Sequence, residues 1–148
     1  MSRTGPHPEE PRWRTLAAWS PVVLCEALVI FLSSRPNLAL PPLFPNIDKL
    51  AHFVEYAILG GLIFRALRWS GGGRRLCWIL TLILVAGLAA GDETLQGFVP
   101  GRTKSLGDWA SDCVGSAAGI LLIIVLEGRL PAGWIRPPEP VPTRRRTA

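Results

Sequence analysis

Charge is scarce in this sequence. Only 18% of its 148 residues are Asp, Glu, Lys or Arg, against about 25% in an ordinary soluble domain. The deficit falls in four apolar stretches of membrane-spanning length, which excludes a soluble enzyme, a coiled coil and a disordered chain. Cysteine is sparse as well. Cys25, Cys77 and Cys113 lie far apart in or beside apolar stretches, set no disulfide framework and read as small apolar filler. No Cys-x-x-Cys and no pair of histidines fixes a ligand spacing, so the sequence assigns no metal and no cofactor. The first apolar stretch follows a polar, Pro-rich segment and precedes no small-residue cleavage site, so it is expected to be a retained anchor. The net charge of +5 comes without a basic face interleaved with aromatics, which argues against nucleic acid as a partner.

What is abundant is apolar surface: 49% of the residues are hydrophobic and the mean hydropathy is +0.30. Residues 16–33, 49–67, 76–96 and 106–126 each approach the ~20 residues that cross ~30 Å of hydrocarbon at 1.5 Å per residue. A spanning segment must satisfy its own backbone, which leaves helices. The expected fold is therefore all-α, an integral membrane bundle of four transmembrane helices over residues 16–127. A tail of residues 1–15 and a Pro/Arg-rich tail of residues 128–148 flank it, both expected to be disordered. Pro36, Pro41, Pro42 and Pro45 predict an extended first linker. Gly71-Gly72-Gly73 predicts a short flexible second one, and Pro100-Gly101-Arg102 a turn.

With four spans, both tails and the second linker share one membrane face. That face carries twelve arginines: Arg3, Arg12, Arg14, Arg65, Arg68, Arg74, Arg75, Arg129, Arg136, Arg144, Arg145 and Arg146. The opposite face has four cations, Arg35, Lys49, Arg102 and Lys104. The positive-inside rule then places both termini in the cytoplasm.

That orientation gathers polar residues at the outer ends of three helices. Asp48, His52 and Tyr56 recur every four residues on the second helix, Asp92 and Gln96 on the third with Glu93 beside them, and Asp108 and Asp112 on the fourth. Ionisable groups at this depth are costly unless they face the bundle and find partners. Asp108 alone reads equally as a helix N-terminal acid, and Lys49 as a snorkelling cation. Taken together the set reads as a ligand-binding cluster, with Arg102 covering it. His52 is expected to tie the second helix to the third through Asp92 or Glu93. Gly87 and Gly91, and Gly115 and Gly119, are small-xxx-small pairs expected at helix contacts, with Gly60 and Gly61 serving the second helix similarly. Glu26, an intramembrane acid, is expected to form a neutral interhelical hydrogen bond or to pair with a polar group of another helix.

The run Asp48-Lys49-x-x-His52-Phe53-x-x-Tyr56 resembles the signature of the VanZ-like family of small membrane proteins. So does Asp92-Glu93-x-x-Gln96-x-Phe98-x-Pro100-Gly101-Arg102, followed by Asp108 and the Gly115/Gly119 stripe, and so does the Ser33-Ser34-Arg35-Pro36 step. The resemblance runs in order over about residues 20–125 and departs at Asp112, where Asn is expected. It implies a multi-pass protein of the bacterial cytoplasmic (inner) membrane with a cell-envelope role. Its namesake is associated with low-level resistance to the glycopeptide teicoplanin, which makes antibiotic resistance a further expectation.

Three functions fit these residues. The first is a non-enzymatic envelope protein, embedded in the lipid bilayer, that binds a lipid-linked ligand or a membrane protein partner through the outer cluster. The second is a membrane-surface enzyme acting on a lipid-linked, phosphate-containing substrate, with His52 as general acid or base, Asp92 or Glu93 as its partner carboxylate and Arg102 clamping phosphate. It lacks a recognisable nucleophile motif. The third is a proton or ion pathway through Glu26 and the cluster, for which inverted repeats are lacking.

Overall fold

The computed structural model describes residues 12–36, 45–131 and 133–135. The middle of the first linker and most of both tails, for which extension and disorder were expected, lie outside the described residues. Four helices account for nearly everything described, and no strand occurs among these residues: α1 (Arg12–Ser33), α2 (Ile47–Trp69), α3 (Arg74–Gln96) and α4 (Leu106–Leu126). All four are long and apolar enough to cross a membrane. The first three start two to four residues before the expected spans, because a helix continues past the apolar window until a capping residue or glycine stops it.

Local chemistry explains the exceptions to helix propensity. Pro21 stands inside α1 and lacks the N–H that would reach the carbonyl of Ala17. The Ser20 hydroxyl donates to that carbonyl instead, at 3.1 Å. The α2–α3 turn closes at Gly71, whose φ of 88° is one that a side chain resists.

The helix α2 is central. It contacts each of the others, and its interface with α4 is the most extensive. Small residues make that approach possible. A Cβ on Gly115 would overlap the carbonyl of Phe53, one on Gly119 that of Ala57, and one on Gly60 would meet Ser116. The α3 glycines behave otherwise, which corrects the expectation for Gly87 and Gly91. Both are exposed, and nothing lies within 4 Å of an added Cβ at either. The buried stripe of α3 runs through Cys77, Thr81, Val85, Ala89, Asp92, Glu93 and Gln96. Gly91 follows Ala89 by two residues, about 200° around the helix, and faces away from the bundle, whereas Gly87 lines an open cavity of about 370 Å³ with Trp19 and Val22 of α1 and Ile63 of α2.

The main apolar core joins Val22 and Val29 of α1, Tyr56, Leu59 and Ile63 of α2, and Val85 and Ala89 of α3. Outward, Leu16, Val23, Leu24 and Leu28 on α1 and Leu121, Leu122 and Val125 on α4 are exposed, as helices surrounded by lipid require. At the end of the bundle holding the α2–α3 turn, Arg68 is buried. It donates to the carbonyl of Gly72 at 2.7 Å and lies 3.7 Å from Glu127. There too Arg65 donates to the carbonyl of Trp134 at 2.9 Å and lies over its ring, and Ile135 is buried. Trp134, within the tail expected to be disordered, is thereby held against α2.

Candidate functional site at the opposite end of the bundle

The polar side chains converge where α2 and α4 begin and α1 and α3 end. His52, Asp92, Glu93, Gln96, Asp108 and Asp112 are all buried there, on three helices. Each occupies a helical face that the apolar core continues: His52 lies one turn before the core residue Tyr56, Asp92 and Glu93 follow Ala89, and Asp112 precedes Gly115.

Two hydrogen-bonded groups make up the cluster. In the first, Nδ1 of His52 is 3.0 Å from Oδ1 of Asp112, joining α2 to α4. This replaces the expected tie to α3 through Asp92 or Glu93. The glycine-mediated approach of α2 to α4 brings residue 112, one turn before Gly115, level with His52. Asp112 is fully buried, and its second oxygen, Oδ2, has no partner. Glu93 comes in from α3, its Oε2 accepting from the backbone N–H of Ser105 at 2.6 Å while Oε1 has none. Donor atoms of His52, Glu93 and Asp112 lie within 4.8 Å of one another.

In the second group, Asp92 Oδ2 accepts from the hydroxyl of Ser33 at 2.9 Å and from Gln96 Nε2 at 3.0 Å, and Gln96 Nε2 also lies 3.3 Å from Ser33 Oγ. This ties α1 to α3. Arg102 donates to the carbonyl of Leu32 at 3.4 Å, so it sits over the end of α1 beside Ser33 and satisfies one of the carbonyls a helix end leaves open.

Lys49 spans α2 and α4, donating to Asp108 at 2.9 Å and to Asp48 at 3.3 Å. Asp48 is exposed and stands outside the buried cluster. Asp108 stands in the first turn of α4, and its backbone N–H bonds to the capping hydroxyl of Ser105 at 3.2 Å. Tyr56 is fully buried beneath His52 with an unpartnered hydroxyl. Glu26 is half-buried and its Oε2 has no partner, so the expected interhelical bond is not made at that oxygen.

Two contributors were not singled out as site residues from sequence. Ser33 was noted only within the step that ends α1, although a serine closing an otherwise apolar helix was the available signal. Ser105 takes part through a backbone N–H, which no side-chain pattern reveals.

Beside the cluster, a cavity of about 400 Å³ opens between α3 and α4. Ala86, Ala90, Leu106 and Trp109 form its apolar wall, and Glu93, Lys104 and Ser105 its polar end. Trp109 is fixed there by donating to the carbonyl of Ala86 at 3.1 Å. Glu93 thus borders both the cavity and the His52–Asp112 pair.

Among known proteins, a family model described as VanZ/LLP1 matches residues 9–127. No curated protein and no solved structure matches the chain.

Proposed function

The chain belongs to the VanZ/LLP1 family, and from that premise we propose that it is an envelope protein of the bacterial cytoplasmic membrane that binds a lipid-linked phosphate ligand at its outer face. The observation that carries this reading is the α3–α4 cavity. One wall is apolar and flanked by exposed apolar helix surface, and its polar end is formed by Lys104 and Ser105 beside Glu93. An amphiphile needs that combination: a hydrocarbon wall for the chain, and a few placed polar groups for the head. The distribution of arginines supports an outward-facing site, with both termini in the cytoplasm.

Cross-linking tests the reading. A photoactivatable polyprenyl phosphate in nanodiscs is expected to label the peptide containing Leu106 and Trp109 in preference to α1. Labelling spread evenly over α1, α2 and α4 would argue for general solvation by lipid.

A second reading, enzymatic, is favoured by the buried His52–Asp112 contact. A carboxylate holding one ring nitrogen fixes the imidazole, as in general acid–base catalysis. In that case the phosphate-containing lipid is a substrate, with Glu93 the nearest partner acid from α3 and Asp92 the next along the same helix.

A further inference from the structure

We propose that His52, Glu93 and Asp112 form a binding site for a single divalent transition-metal ion, Mn²⁺ or Zn²⁺. The inference goes beyond the lipid-binding reading and does not depend on it.

The geometry is that of an unclosed ligand set. Three helices each supply one side chain, and the donor atoms lie within 4.8 Å of one another. A divalent ion about 2.1 Å from each donor holds neighbouring donors roughly 3 to 3.4 Å apart, so carboxylate rotations that bring the donors closer by at most about 1.8 Å close the triad. The second observation is the state of the acceptors. Asp112 is 0% exposed and Glu93 7% exposed, yet Asp112 Oδ2 and Glu93 Oε1 have no hydrogen-bond partner. A buried carboxylate oxygen without a donor is costly, and two beside one imidazole leave the same deficit, which one cation removes.

The donor chemistry selects the ion. The imidazole nitrogen suits borderline Zn²⁺ and the two carboxylates suit the harder Mn²⁺, which also accepts one nitrogen, whereas Ca²⁺ and Mg²⁺ favour oxygen throughout and soft ions favour thiolate. The remaining bonds resemble those that orient metal ligands from outside. Ser105 N–H holds the other oxygen of Glu93, leaving Oε1 for the ion. No spacing in the sequence signals this set, because each ligand comes from a different helix.

The test uses the full chain in detergent, stripped with chelator and then dialysed against Mn²⁺ or Zn²⁺ without added lipid. Bound metal is measured by elemental analysis, and affinity by calorimetry. One ion per chain is expected. Glu93→Gln and Asp112→Asn should each weaken binding at least tenfold, while Asp48→Asn and His7→Ala leave it unchanged. Glu93→Gln retains an oxygen for the Ser105 N–H, so it decides the matter alone if Asp112→Asn fails to fold by circular dichroism. Absence of a stoichiometric ion, or binding that persists in folded Glu93→Gln protein, overturns the proposal. Failure of lipid cross-linking with metal binding intact would remove only the lipid reading.

Discussion

His52 and Asp112 meet at 3.0 Å across the α2–α4 interface, where neither side chain is more than 10% exposed. Each helix thereby presents a buried polar group to the other just beside the point where glycines bring the two backbones close. Polar contact and close packing are two parts of one interface, since a wider helix separation would break the His52–Asp112 contact.

The first prediction is energetic coupling between those two residues. His52→Gln and Asp112→Asn should each lower thermal stability in detergent, and the double-mutant cycle should return about 0.5–3 kcal/mol of interaction, the range found for directly contacting residues. His52→Gln combined with Asp92→Asn should be close to additive, because the bonds of Asp92 run to Ser33 and Gln96. Strong coupling to Asp92 with none to Asp112 would reverse the assignment.

The two pairs of spaced glycines should respond oppositely. Gly119→Val places a side chain against the backbone of Ala57 and should cost about 3 kcal/mol, at the upper end for overpacking. Gly91→Leu, which enters open space, should leave the unfolding temperature nearly unchanged. Thermal melts of both variants check this, and equal losses would contradict the packing described.

Ser33→Ala should cost about 1–3 kcal/mol, the penalty for leaving a buried acceptor short of a donor, and should loosen α1 from α3. Proteolysis near the end of α1, quantified against Ser34→Ala, is the readout. Ser34 bonds only within its own helix, to the carbonyl of Ile30, so that variant should stay close to the parent protein.

Topology is predicted from charge. A reporter fused after Ala148 should behave as cytoplasmic and one inserted near Leu40 as exported. Export of the C-terminal reporter would contradict the orientation.

Most of the helical architecture was legible because membrane spans must be long, apolar and self-satisfied in their hydrogen bonds, so composition alone marks them. The polar cluster was legible for a related reason: at i, i+4 spacing, His52 and Tyr56, Asp92 and Gln96, and Asp108 and Asp112 had to share faces. Pairings between helices were not legible. Helical period gives the face of a residue but not its height relative to a neighbouring helix, and that height determined that His52 meets Asp112 and that Lys49 meets Asp108. The period also left Gly87 and Gly91 ambiguous, since a small-residue pair looks alike whether it faces a helix or lipid. The α3–α4 cavity depends on loop residues 104 and 105 folding back beside Glu93, which local sequence does not specify.

The most direct measurement of the central claim is native mass spectrometry of the full chain released from nanodiscs containing polyprenyl phosphate or the uncharged polyprenol. One polyprenyl phosphate per chain should be retained and polyprenol should not, and Ala90→Trp, which fills the α3–α4 cavity, should abolish retention while Gly91→Trp, which enters open space, should not. Equal retention of the two lipids, or retention unaffected by Ala90→Trp in a folded protein, would contradict it.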